Sequence, residues 1–101
     1  MLAYEKSRST VTIKLSGELD HSYVERIRGE LEALAADPKI KTLVFDMGSL
    51  SFMDSSGIGM IIARYKQMVR RGGKVAVKCS NRRIDMIFEM AGLYQIIDKL
   101  A

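Results

Sequence analysis

The spacing of apolar residues changes along the chain and separates strands from helices. Val11, Ile13 and Leu15 alternate with polar residues, which predicts a strand with one buried face. Leu2–Lys6 and Thr10–Leu15 are predicted to pair as a hairpin, with the first strand at the edge of a sheet.

Three later segments show helical spacing. Helix 1 is predicted to begin at a capping box, Ser22–Glu25, and to end near Ala36, before Asp37-Pro38. Helix 2 is predicted from about Ser56 to Arg71, and helix 3 from the cap Asn81 to Gly92. The predicted inner faces are Val24, Ile27, Leu31 and Leu34 in helix 1; Ile58, Ile61, Ile62, Tyr65, Met68 and Val69 in helix 2; and Ile84, Ile87, Phe88 and Ala91 in helix 3. Arg64 is predicted to lie on the outer face of helix 2.

The remaining apolar runs supply the other strands. Thr42–Asp46 is a continuous apolar run that ends in an acid, which is typical of a parallel strand covered on both faces. Lys74–Lys78 is predicted as a further strand, with Val75 and Val77 on one face. Leu93–Leu100 is predicted as a last short strand or turn, and turns are predicted at Ser16–Asp20 and Gly48–Leu50. The order predicts an α/β domain with a mixed, mostly parallel sheet, an N-terminal hairpin strand and packed helices.

Composition narrows the class of protein. The chain of 101 residues predicts one domain over residues 1–101, and no apolar run reaches the roughly 18 residues of a membrane helix. One cysteine and one histidine exclude a structural zinc site and an internal disulfide, and we expect a reducing cytoplasm. The net charge of +4 is dispersed, without stacking aromatics, so nucleic-acid binding is not favoured, whereas an acidic protein partner suits this charge.

The most informative motif is Asp54-Ser55-Ser56-Gly57-Ile58-Gly59, at the start of helix 2. An acid and hydroxyls before a helix are explained by capping, but two serines with two glycines are not. Gly59 lies inside the helix at a cost of roughly 1 kcal/mol relative to alanine. The motif therefore predicts a surface that a partner approaches closely.

Three enzymatic or ligand-binding readings fit the sequence less well. The glycines of Gly57-Ile58-Gly59 do not complete either nucleotide-loop motif. A hydrolase elbow needs a glycine at residue 53 or 54, where the chain has methionine and aspartate. It also needs a base, and His21 is interpreted instead as an exposed helix-start residue. Asp46 ends a predicted strand, as the phosphoacceptor of a receiver domain does, but the acidic pair is misplaced, because Glu18 and Asp20 follow a hairpin strand.

Four segments together carry a family resemblance. They are Leu15-Ser16-Gly17-Glu18-Leu19-Asp20-His21, Leu50–Gly59, Arg64-Tyr65-Lys66-Gln67 and Met90-Ala91-Gly92-Leu93. With these at these spacings, the chain resembles the STAS domain family over nearly its whole length, and within that family the sporulation-type anti-sigma factor antagonists. Many members continue into a C-terminal helix, whereas this sequence ends at Leu100-Ala101, so that helix is expected to be absent or shortened here.

The resemblance implies a regulatory cycle without an enzymatic activity or a cofactor of its own. The unphosphorylated protein is expected to bind an anti-sigma factor that is also a serine kinase, and so to release the sigma factor. The kinase is expected to inactivate it by phosphorylating Ser55, and a metal-dependent serine phosphatase to reset it. The expected partner-binding residues are Glu18, Asp20, Met53, Asp54, Ser55, Ser56, Gly57 and Gly59. A general stress-response antagonist would use the same switch.

Overall fold

The structure is a computed structural model that describes residues 2–100. Its elements in chain order are β1 (Ala3–Ser7), β2 (Thr10–Leu19), α1 (His21–Ala36), β3 (Thr42–Met53), α2 (Ser55–Val69), β4 (Lys74–Lys78), α3 (Arg82–Met90), a 3-10 turn (Leu93–Gln95) and β5 (Asp98–Leu100). The predicted element order is confirmed, and the last segment contains both a turn and a short strand. Ala101, where the sequence ends, lies outside the described residues.

The five strands form one sheet in the order β1-β2-β3-β4-β5. The β1–β2 pair is antiparallel and the other pairs are parallel, which confirms the predicted mixed, mostly parallel sheet. Each crossover from β2 onward moves to the next strand in the same direction. Because such crossovers are right-handed, all three helices lie on one face of the sheet.

The core lies between that face and the helices. Alternate strand residues such as Ile13, Phe45 and Val77 are fully buried there and pack with Leu31 and Phe88 of the helices. The sheet's other face carries a polar row, in which Asp46 is paired in register with Lys14 and Lys78. The sheet thus buries one face fully and leaves most of its polar residues on the other.

The methionines divide between core and surface. Met47, Met53, Met60 and Met68 are at most 5% exposed, although Met53 was expected to contact a partner. Met86 and Met90 are 53% and 83% exposed on α3, so packing does not account for them.

Two predicted turns are strand extensions instead. β2 continues through Ser16–Leu19 and β3 through Gly48–Met53, and the two remain paired as far as Leu19 and Met53. The register shifts twice along this stretch, because β3 carries extra residues, and Gly17 adopts a left-handed φ of +83°. Bulges of this kind bend strands without ending their pairing. A glycine in the sequence signalled the irregularity but was wrongly interpreted as the end of the strand.

The first helix also starts differently from the prediction. Its cap is Asp20, whose Oδ1 accepts a hydrogen bond from the Tyr23 amide at 3.0 Å. Ser22 therefore lies within the first helical turn, and the predicted capping box is wrong. Asn81 caps α3 as predicted, and Gly72 takes a left-handed φ of +79° just after α2, whereas α2 begins at Ser55 and ends at Val69 rather than at about Ser56 and Arg71.

The inner face of α2 is rotated from the predicted one. Its buried residues are Gly57, Met60, Ile61, Arg64 and Met68. Val69 is 47% exposed, whereas Arg64, predicted to face outward, is only 8% exposed. The spacing explains the error, since Arg64 lies four residues from both Met60 and Met68 and so shares their face.

Candidate regulatory site

The candidate site lies where β2 and β3 end, at the carboxyl edge of the parallel sheet. Leu19 pairs with Met53 at these ends, and the Asp54 amide donates to the Leu19 carbonyl at 3.4 Å. Asp20 and Asp54 therefore follow neighbouring strands and begin neighbouring helices. In parallel sheets this edge is the usual place for ligand and partner contacts.

Asp54 holds the first turn of α2. Its Oδ1 accepts hydrogen bonds from the amides of Ser56, at 2.8 Å, and Gly57, at 3.4 Å. Ser55 is the first helical residue and is exposed, and Ser56 is half-buried. The acid alone supplies the cap that the motif predicted, so the Ser55 side chain is presented to solvent from a fixed backbone.

Gly57 and Met53 lie beneath this turn rather than on its surface. A Cβ on Gly57 would come 2.7 Å from Met53 Cγ and 3.0 Å from Leu19 Cγ. Gly57 is buried and Met53 is only 4% exposed. Direct partner contact through these two residues, as expected from the motif, does not fit their burial. Their structural role is to let α2 approach the ends of β2 and β3.

Gly59 fits the expectation of close access. A Cβ built on Gly59 meets no heavy atom within 4 Å, and the residue is exposed. The glycine therefore keeps a piece of the surface of α2 open, two residues after the buried Gly57. The two glycines of the motif have opposite environments, which the sequence pattern could not distinguish.

The three acidic residues of the site make it electronegative. Glu18 is exposed near the end of β2, beside the half-buried Asp20 and Asp54. Within residues 2–100, none of the three forms an ion pair. A further negative charge on Ser55 would thus join three acidic residues that have no ion-pair partner of their own among residues 2–100.

Phe52 is a surface residue of the site that the sequence analysis missed. It pairs in register with Glu18 and is 44% exposed. The signal was present, because successive strand residues face opposite ways, so a strand that buries Met53 turns Phe52 to the other face. An exposed aromatic ring next to an exposed acid is suited to a protein interface.

The structure does not support the receiver and hydrolase interpretations. Asp46 lies within β3, which continues to Met53, so it does not have the strand-end position of a receiver phosphoacceptor. Its side chain accepts a hydrogen bond from the Gly48 amide at 3.1 Å. His21 is exposed, as interpreted from the sequence, and its Nε2 lies 4.0 Å from Glu25 Oε1. Among residues 2–100, the exposed Ser55 thus has no hydrogen-bonded base, and His21 is oriented toward Glu25.

Residues 2–100 contain no cluster of three or more His, Cys, Asp or Glu side chains placed to hold a metal ion. No helix in this part of the chain is both long enough and apolar enough to cross a membrane.

The comparisons with known proteins identify the family. The model of the STAS domain family matches residues 1–101, and the chain belongs to this family. It is 34% identical over 93 residues to a Paenibacillus polymyxa protein named anti-sigma F factor antagonist, covering 92% of this chain and 80% of that protein. It is 27% identical to the anti-sigma-B factor antagonist of Bacillus subtilis (strain 168), covering 93% of this chain and 84% of that protein.

The fold is also similar to solved structures of the anti-sigma factor antagonist SpoIIAA. The unphosphorylated form aligns with a TM-score of 0.85 at 29% identity, covering 100% of this chain and 89% of the other. The phosphorylated form, described as a Bacillus cell fate determinant, aligns with a TM-score of 0.79 at 29% identity, covering 100% and 92%.

Proposed function

We propose that this protein is an anti-sigma factor antagonist that is switched by phosphorylation of Ser55. The unphosphorylated form binds an anti-sigma factor that is also a serine kinase, and binding releases the sigma factor. Phosphorylation by that kinase ends the interaction, and a serine phosphatase restores it. The protein acts in the cytoplasm as a single regulatory binding domain, without nucleic-acid or membrane contact and without a cofactor of its own.

The observation that carries the proposal is the placement of Ser55. It is exposed at the first position of α2, on a turn fixed by the Asp54 cap. The names of the relatives and the existence of SpoIIAA in phosphorylated and unphosphorylated forms support the same reading. No base near Ser55 is required, because the kinase supplies the base, ATP and Mg²⁺.

The switch follows from charge rather than from refolding. A phosphate adds about −1.5 to −2 charge at a helix N-terminus, where the helix dipole tolerates it, so the fold persists. At the interface the same charge joins Glu18, Asp20 and Asp54 and must be desolvated. Burying an unpaired charge costs several kcal/mol, and each 1.4 kcal/mol lowers affinity tenfold. Phosphorylation is therefore expected to weaken binding at least about 100-fold.

Calorimetric titration of a sporulation-type anti-sigma kinase with matched variants tests the charge account. Ser55→Asp is expected to bind at least about tenfold more weakly than the wild type, because it places a permanent carboxylate at the switch position. Ser55→Ala is expected to bind normally and to stay bound after ATP is added. Ser7→Asp is the matched control, since Ser7 is also exposed but lies at the end of β1, paired with Thr10 at the start of β2 and far from its Leu19 end.

Each variant is first checked for folding by circular dichroism and thermal unfolding. Equal binding by Ser55→Asp and the wild type would refute charge repulsion at the interface. Equal weakening by Ser7→Asp and Ser55→Asp would show that net charge matters and not the site.

The second candidate is a stress-response antagonist, favoured by the similarity to the Bacillus subtilis anti-sigma-B factor antagonist. The higher identity to the anti-sigma F factor antagonist places the sporulation reading first. Titrating both types of anti-sigma factor with this protein distinguishes the two. Tighter binding to the stress-response type would reverse the order and leave the Ser55 switch unchanged.

A further inference from the structure

A cleft of about 390 Å³ lies between α1 and α2 on the helical side of the domain. Its walls include Val24 and Arg28 of α1 and Gly59, Met60 and Arg64 of α2. The cleft exists partly because Gly59 carries no side chain, since a Cβ there would meet nothing within 4 Å. A volume of this size is within the range of small-molecule sites.

Arg64 is the unusual residue of this cleft. The residue is only 8% exposed, although arginine is seldom buried without a paired acid. Its nearest acid is Glu32, with 3.9 Å between Arg64 Nη2 and Glu32 Oε2, which is beyond hydrogen-bond distance. Arg64 Nε is shut off from solvent and has no hydrogen-bond partner among residues 2–100.

The charges around the guanidinium do not balance it. Burial lowers the pKa of Arg64, the carboxylate of Glu32 raises it, and Arg28 lowers it again. Arg28 itself has a close partner, since its Nη2 lies 2.8 Å from Glu25 Oε1. Within residues 2–100 the counter-charge of Arg64 is therefore the exposed Glu32, at 3.9 Å and without a hydrogen bond between them, which is incomplete pairing for a buried charge.

We propose that the cleft between α1 and α2 binds a small organic oxyanion, a carboxylate or a phosphate monoester with a short apolar part, through the guanidinium of Arg64. The planar guanidinium offers paired donors that suit both kinds of oxyanion. Val24 and Met60 provide the apolar wall for the rest of the molecule. This site adjoins the Ser55 surface, since Ser56 and Gly59 also line the cleft, but it requires no protein partner.

The test is a titration of the full-length, ¹⁵N-labelled protein followed by NMR. Butyrate and inorganic phosphate are the probes, and chloride at equal ionic strength is the control. The Nε–Hε signal of Arg64, identified by its loss in Arg64→Lys, is expected to shift saturably with butyrate, phosphate or both. The apparent affinity is expected to be at least about tenfold above that for chloride. The probe that binds more tightly identifies the ligand as a carboxylate or a phosphate ester.

Two glycine variants keep the test independent of Arg64 itself. Gly59→Leu fills the cleft without removing the guanidinium and is expected to abolish the saturable shift. Gly29→Leu is the matched control, because Gly29 is also exposed in a helix with open space around it but does not line the cleft. An Arg64 signal that responds to both probes only as it does to chloride would overturn the proposal, as would an unchanged response in Gly59→Leu.

Discussion

The two glycines at the start of α2 are expected to change the stability of the protein in opposite directions when each is replaced by alanine. Gly57→Ala places a methyl group 2.7 Å from Met53 Cγ and 3.0 Å from Leu19 Cγ. These are branch or mid-chain atoms of residues that are 4% and 0% exposed, so neither neighbour moves aside easily. Gly59→Ala places the same group in open space.

The magnitudes follow from two opposing terms. Alanine in place of glycine stabilises a helix interior by about 1 kcal/mol, and this gain applies at both positions. Overpacking a buried site costs about 1–3 kcal/mol, and the contacts at Gly57 are short enough to place it near the upper end. We expect Gly57→Ala to lower the free energy of unfolding by about 1–2 kcal/mol and Gly59→Ala to raise it by about 0.5–1 kcal/mol.

Thermal and urea unfolding followed by circular dichroism measure both changes. For a domain of this size 1 kcal/mol corresponds to a shift in Tm of about 5 °C, so the two variants are expected to differ by about 8–15 °C. Each alanine variant serves as the control for the other, because both make the same chemical change in the same helix. Shifts of the same sign, or a Gly57→Ala protein as stable as the wild type, would refute the assignment of Gly57 to packing and Gly59 to an open surface.

Three further predictions concern stability. Asp54→Ala removes the acceptor of two first-turn amides and is expected to lower the free energy of unfolding by about 1 kcal/mol. Ser56→Ala is expected to lower it by less than half as much. Equal losses of the two variants in urea unfolding would contradict the capping role of Asp54. Hydrogen bonding, first of all to Lys99, lowers the pKa of Asp85, so its contribution is present at neutral pH and is lost as pH falls below about 4. The difference in unfolding free energy between wild type and Asp85→Asn should therefore shrink in acid, and a constant difference would exclude this linkage. Arg71 donates hydrogen bonds to the backbone carbonyls of Ala35, at 2.7 Å, and Ile40, at 2.6 Å. Arg71→Ala is therefore expected to lower the free energy of unfolding by about 2–3 kcal/mol. A loss below about 0.5 kcal/mol in urea unfolding would contradict this role of Arg71.

The fold was largely predictable because its periodicities are clear. Alternation in β2, the apolar run of β3 and the helical stripes fixed the element order and the mixed sheet. The errors lie where a local signal competes with pairing between distant segments. Gly17 was interpreted as a turn, although pairing of β2 with β3 carries the strand past it to Leu19.

The position of the candidate site was predictable from the sequence, but the burial of its residues was not. The motif located the exposed Ser55 and the acids around it. Burial depends on three-dimensional contacts, so spacing alone could not show that Gly57 packs against Leu19 and Met53. The burial of Arg64 was similarly hidden, since a charged residue on an amphipathic helix is usually expected to face solvent.

The most direct test of the proposed function is mass spectrometry of the protein after incubation with a sporulation-type anti-sigma kinase and Mg-ATP. The account predicts one phosphate on the Asp54-Ser55-Ser56 peptide, assigned to Ser55 by fragmentation, and none in Ser55→Ala. A phosphate on Ser56 instead would move the switch by one residue and contradict the role given to Ser55. No phosphate, with a kinase shown to be active on its own partner, would leave a STAS domain with a different partner.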